Sequence, residues 1–315
     1  MTTPFWIFIF VLAISATVAA SQLFSAQAEK LVKKTSFSPF FKDVVIATFL
    51  VALPELCISI FATTQDYSSM VPTYVTGANL INLLLIPGIV ALAAGSLIVS
   101  KEVTVKQIPV LFSSIVLLFV LSFDGQISLW EGVVLLLAFG IFVLARRSEY
   151  KEGLWERIEQ WFTFGKSQRI VAPLIFWLLV LGAGTYFTVT GVVTLSEAKN
   201  FNPGYLASSI VALAVSVPEL VYAYHAAKKG RGDSAVNVLI TSTIINSTLV
   251  LALPSFVKPL NVLDDVLKIS TPFLLFAVIL FSLSLLKRQW TAYEGAALIL
   301  IYLVFLVQFL NPLFS

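Results

Sequence analysis

The 315-residue chain has one cysteine, one histidine and few charged side chains. A lone Cys57 excludes an intramolecular disulfide and any site built from several thiolates. Lying two residues after Glu55, it reads as a small apolar filler, not a reactive thiol. With only His225, a His-Glu-x-x-His metalloprotease pair is impossible. No nucleophile elbow and no phosphate-binding glycine motif occurs, so the chain is not read as an enzyme. Charged residues make up 12%, against about 25% in an ordinary soluble domain. The net charge of +3 is small and gives no footing for nucleic acid.

Hydrophobic residues, in contrast, make up 58%, and the runs 4–28 and 273–286 contain no charge at all. These features define an all-α polytopic membrane protein whose first partner is the lipid bilayer. The segment 4–28 lacks a basic flank and exceeds the usual signal-peptide core, so it reads as a membrane helix. Its small residues Ala13, Ser15, Ala16, Ala19 and Ala20 suggest tight packing on a neighbour.

Apolar segments and polar breaks give ten expected spans: 4–26, 43–63, 71–98, 108–123, 129–146, 170–194, 204–226, 234–256, 270–286 and 292–311. The longest polar stretch divides them five and five. The expected organisation is a first half, 1–146, a cytoplasmic linker, 147–169, and a second half, 170–315. An amphipathic piece is expected around Leu154–Phe164. With both termini outside, 17 of the 20 basic residues flank cytoplasmic loops, and only Lys199, Lys258 and Lys268 do not. The expected location is the plasma (inner) membrane. Five spans per half then invert the second half relative to the first.

An internal repeat supports the inversion. Leu-Pro-Glu-Leu at 53–56 recurs as Val-Pro-Glu-Leu at 217–220, an offset of 164. The same offset pairs Asn82 with Asn246 and Ala78 with Ser242. Trp-Glu-Gly at 130–132 recurs as Tyr-Glu-Gly at 293–295. Inverted repeats of this kind build many secondary transporters, with the site at the midplane where the halves meet.

The repeated residues have a shared chemistry. An acidic side chain at membrane depth costs about 2.5 to 3.5 kcal/mol on insertion scales. Glu55 and Glu219 occupy equivalent places, so accident is a poor account of both. Pro54 cannot donate to the carbonyl of Leu50, nor Pro218 to that of Ala214, so backbone oxygen is freed near each glutamate. A hard cation takes carboxylate, amide and backbone oxygens. Asn79 and Asn82 share one helix face, as do Ser242 and Asn246. Ser216 lies three residues before Glu219 and Ser59 four after Glu55; Thr241, Thr243, Ser247 and Thr248 add polarity nearby. A single intramembrane Asn can serve as interhelical glue, but duplication in both halves favours a ligand role. Glu131 and Glu294 begin the fifth and tenth spans and read as charges favoured by the helix dipole. Asp124, Asp264 and Asp265 are expected in solvated outer loops, and His225 at an interface.

At these residues the chain resembles the cation/Ca²⁺ exchanger superfamily, which includes the Na⁺/Ca²⁺ exchangers. Leu53-Pro54-Glu55 and Val217-Pro218-Glu219 match its first signature element. Gly77-Ala78-Asn79-Leu80-Ile81-Asn82 and Thr241-Ser242-Thr243-Ile244-Ile245-Asn246 match its second. The resemblance implies ten helices as two inverted five-helix repeats, alternating access, and movement of the first and sixth helices. It also implies a metal site of Glu55, Glu219, Asn82 and Asn246, flanked by Ser216, Ser242, Asn79, Leu50, Val51, Ala214 and Val215. The chain departs from the family where sodium-binding hydroxyls usually stand. Val51-Ala52 and Ala78 carry none, whereas Ser216 and Ser242 remain beside Val215 in the second half. The implied activity is exchange of a divalent cation, Ca²⁺ foremost, for H⁺ or Na⁺, with no cofactor beyond the transported ions. Alternatives are exchange of Mg²⁺, Mn²⁺ or Na⁺/H⁺, or a cation channel. The oligomeric state is open.

Overall fold

A computed structural model describes residues 3–32, 47–147 and 168–313. Most of the linker, with the stretch around Leu154–Phe164, lies outside the described residues. The helices are α1 (Thr3–Val32), α2 (Ala47–Thr64), α3 (Met70–Ala94), α4 (Lys101–Leu121), α5 (Leu129–Arg147) and α6 (Gln168–Glu197). They continue with α7 (Gly204–Val215), α8 (Val217–Lys228), α9 (Gly232–Ser255), α10 (Val266–Leu286) and α11 (Ala292–Leu310).

Among the described residues, eight of these helices are long and apolar enough to cross a membrane. The bent pair α7 and α8 supplies a ninth candidate, and α2 adds a shorter apolar helix. Large apolar side chains point outward on several of them, including Phe8, Leu12, Leu137, Leu179 and Val307. In a soluble protein such a surface would aggregate; in a bilayer it meets hydrocarbon. The protein is an integral membrane protein.

Two details depart from a purely helical expectation. Four short strands pair antiparallel: β1 (Ser96–Ile98) with β4 (Gln289–Thr291), and β2 (Gln126–Ile127) with β3 (Leu260–Asn261). Each strand lies between helices, where the chain turns and its backbone groups need partners. The second detail concerns the prolines. Pro54 lies inside the unbroken α2, whereas the chain bends 41° between α7 and α8, just before Pro218. Ser216 occupies the junction and its N–H still reaches the carbonyl of Ala212.

Small residues decide the closest packing. α1 lies along α6, where a Cβ on Gly184 would come 2.8 Å from Thr17 Oγ1. Thr17 and Thr188 approach within 3.4 Å across this contact, while each also bonds a carbonyl of its own helix. Ala13, Thr17 and Ala20 lie on the buried edge of α1 together with Phe10 and Ile14; Ser15 and Ala19 face outward, contrary to expectation. Gly182 has open space around it and does not belong to the contact. A Cβ on Gly295 of α11 would lie 2.7 Å from the carbonyl of Gly88 in α3. A Cβ on Gly132 of α5 would likewise meet Ser255 of α9, 1.9 Å from its Oγ. Helices can approach this closely only where a side chain is missing.

Helix starts behave as the dipole argument expects. Thr291 and Glu294 form a reciprocal capping box at α11. Glu131 accepts from the Ser128 backbone at 2.7 Å before α5. Asp264 pairs with Lys268 at 2.7 Å, and Asp124 accepts from the Gln126 backbone at 3.1 Å. His225 is exposed on α8.

Candidate cation site

Two helical regions of high burial, α3 and α9, carry the polar residues of the second signature element. Each has an irregularity just where those residues lie. In α3 a π-helical turn spans Ile81–Leu85; in α9 the regular bonding breaks at Thr248. Such turns shift side-chain direction by a fraction of a turn and often mark functional positions.

The two asparagines of α3 bond across to α9. Asn79 Nδ2 donates to Ser247 Oγ at 2.8 Å, and Asn82 Nδ2 donates to Ser242 Oγ at 3.1 Å. Ser242 Oγ in turn donates to Glu219 Oε1 at 3.3 Å. The donors are thereby used within the protein, while acceptors are left over. Asn79 Oδ1, Asn82 Oδ1, Ser59 Oγ, Glu55 Oε2 and Glu219 Oε2 are all buried, and none finds a hydrogen-bond donor among the described residues. An unpaired buried acceptor is costly. Several close in sequence and all oxygen form a donor set suited to a hard cation.

Glu55 and Glu219 are each 4% exposed and line the same cavity of about 520 Å³. Pro54, Pro218, Leu50, Val215 and Ser242 line it too. The wall continues through Ser21, Gln22 and Ser25 of α1, Arg146 of α5, and Ser234, Asn237 and Thr241 of α9.

Of the eleven site residues named from sequence, five therefore border the cavity: Glu55, Glu219, Ser242, Leu50 and Val215. Asn82 joins it through Ser242. Asn79 lies one turn away and holds Ser247. Asn246 and Ser216 are buried, Ala214 is half-buried in α7, and Val51 belongs to α2. Sequence reading missed Arg146 and the polar edge of α1. The spacing of Ser21 and Ser25, one turn apart on an otherwise apolar helix, is the signal that could have found the latter. Among the described residues no three His, Cys, Asp or Glu side chains cluster, and Glu55 and Glu219 are the acidic groups that line this cavity.

A buried carboxylate pair lining one cavity of an integral membrane protein has the chemistry to hold a cation. The family model for "Sodium/calcium exchanger protein" matches the chain twice, over residues 5–147 and 170–311, and the chain belongs to that family. The match agrees with the resemblance carried by the Pro-Glu and Asn motifs. Among curated relatives, the sodium/calcium exchanger MaX1 of Methanosarcina acetivorans is 26% identical, covering 95% of this chain and 97% of its own. The inner membrane protein YrbG of Escherichia coli is 25% identical, covering 83% of each. Among solved structures, the H⁺/Ca²⁺ exchanger CAX superposes with a TM-score of 0.74 at 19% identity, covering 98% of this chain and 87% of that one. The sodium-calcium exchanger NCX_Mj gives 0.64 at 21% identity, covering 96% and 98%. These likenesses establish a shared fold.

Proposed function

We propose that the protein is a secondary-active antiporter that exchanges Ca²⁺ for H⁺ or Na⁺ by alternating access. The observation that carries this reading is the convergence of Glu55 and Glu219 on one cavity, with carboxylate and amide oxygens unpartnered beside it. Two negative charges match one divalent ion, and the oxygens of Asn82 and Asn246, with backbone carbonyls near Leu50, Val51, Ala214 and Val215, complete a hard-cation set.

Ten spans arranged as two inverted repeats, 1–146 and 170–315, are part of the reading. The double family match supports it. So do the strand pairs: at the repeat offset β1 corresponds to β3 and β2 to β4, and the pairing β1–β4 is mirrored by β2–β3. The contact of Gly295 with α3 is mirrored by that of Gly132 with α9. The cavity wall runs from Glu55 and Glu219 to Arg146 and Ser234, near Lys228, Lys229 and Arg231; with both termini outside, this side faces the cytoplasm on the present reading. On the opposite end, Tyr67 donates to Glu197 at 2.6 Å and ties α6 to the loop before α3.

The choice of counter-ion rests on hydroxyls. Ala52 and Ala78 carry none, and Ser242 is already committed to Asn82 and Glu219. Protons need no such ligands, and a carboxylate pair emptied of its metal cannot cross the bilayer bare without a large desolvation cost. H⁺ is therefore the preferred counter-ion. Uptake of ⁴⁵Ca²⁺ into proteoliposomes under separate H⁺ and Na⁺ gradients tests it. Uptake driven by H⁺ alone is expected; uptake driven by Na⁺ alone overturns the proton assignment. Ohmic flux without any exchange overturns the antiporter.

A further inference from the structure

The same cavity that holds two carboxylates also carries a fixed positive charge. Arg146, at the end of α5, lines it together with Glu55 and Glu219, and its Nη1 donates to Thr241 Oγ1 at 3.3 Å. Thr241 immediately precedes Ser242, the serine bonded to Glu219. The guanidinium is thus held toward the path by which an ion reaches the carboxylates, one helical position from their hydrogen-bond network. Ser21, Gln22, Ser25, Ser234 and Asn237 supply the uncharged remainder of that path.

From this geometry we infer that Arg146 is a specificity-determining residue, a tethered cation that sets the affinity and charge preference of the cavity side of the site. The inference rests on the reading that Glu55 and Glu219 carry the transported cation. Arginine keeps its charge throughout the working pH range. A charge at a given place changes the energy of an incoming ion in proportion to that ion's own charge. The repulsion therefore weighs more heavily on ions of higher valence, and it weakens binding from this side without touching the ligands. Loosened binding on one side favours release there, which an exchanger needs at one end of its cycle. A plain helix-end anchor, which an arginine at this position could also be, predicts no such charge scaling.

The test uses the full chain in proteoliposomes, with Ca²⁺ and, as a competitor, the trivalent cation La³⁺ applied to the cavity side. Arg146→Gln is expected to lower the half-saturating Ca²⁺ concentration by about three- to thirtyfold. The logarithmic shift for La³⁺ should be about one and a half times that for Ca²⁺, following the ratio of ionic charges. Arg146→Lys should stay near the parent protein. Thr241→Val, which removes the bond from Thr241 but keeps the charge, should shift both ions less than Arg146→Gln does. Asn237→Lys, which adds a charge to the same wall, is the second variant and should weaken both ions, with La³⁺ again affected more. It reads the same field if Arg146→Gln does not accumulate. Unchanged half-saturation in Arg146→Gln, or equal shifts for both ions, overturns the inference. Absence of Ca²⁺ flux in the parent protein overturns the transport reading instead, so the two failures are separable.

Discussion

Asn82 on α3 donates its side-chain N–H to Ser242 on α9, 160 residues later, at 3.1 Å. This single bond orients the amide. With the nitrogen engaged, the Oδ1 atom is left as a buried acceptor on a residue that Ser242 links to Glu219. The same logic holds for Asn79 and Ser247.

Removing either carboxylate should end transport. Glu55→Gln and Glu219→Gln are each expected to reduce Ca²⁺ exchange at least about a hundredfold, since one charge cannot offset a desolvated divalent ion. Both variants should still reach the membrane and elute as single species. Robust exchange in Glu219→Gln contradicts the site assignment.

Ser242→Ala should weaken Ca²⁺ affinity without abolishing exchange. It deletes the link from Asn82 to Glu219, and a hydrogen bond to a charged group is worth about 1.5–3 kcal/mol, or roughly tenfold or more in affinity. Asn82→Ala should do the same. The check is the half-saturating Ca²⁺ concentration; a pure loss of maximal rate would point to a positioning fault elsewhere.

Gly77→Ala should destabilise the fold, although alanine ordinarily improves a helix by about 1 kcal/mol over glycine. The added Cβ would lie 2.2 Å from the backbone oxygen of Ser208, where a π-helical turn of α7 passes α3. Backbone cannot move aside as a flexible side chain can, so overpacking of about 1–3 kcal/mol is expected. A melting temperature in detergent below that of the parent protein confirms it. An unchanged or higher value refutes the close approach.

The ion pair between Lys258 and Asp66 should matter little. Lys258 donates to Asp66 at 2.6 Å and holds its carboxyl below the usual range, but both side chains face water. Because the folded value is depressed, any stabilisation is present above the unfolded carboxylate range, near pH 4, and is lost as pH falls through the folded value. Melting curves of Asp66→Asn should differ from the parent barely at pH 7, and that small difference should shrink as pH falls through the folded value. A large gap at neutral pH would contradict this.

Much of this was legible in the chain alone. Apolar runs located the helices because a bilayer accepts only segments that satisfy their own backbone. The duplicated Pro-Glu step singled out Glu55 and Glu219, since an acidic residue at that depth is rare without a task. Helix periodicity put Asn79 and Asn82 on one face. Other features were not legible. Both prolines carry the same local signal, yet α2 runs straight through Pro54 and the chain bends 41° only before Pro218. Small residues on α1 pointed to packing, but Ser15 and Ala19 face outward, while the larger Phe10 and Ile14 join Ala13, Thr17 and Ala20 on the buried edge. Arg146 looked like one more topology charge until folding placed it in the cavity wall.

Composition, hydropathy and repeated motifs, then, determined the class of protein and its charged pair, because solvent preference and helical period are properties of each segment by itself. Tertiary structure alone decided which oxygens stay unpartnered and which cation shares their cavity. Those outcomes depend on groups supplied from distant parts of the chain, and no local pattern records where such a group will arrive.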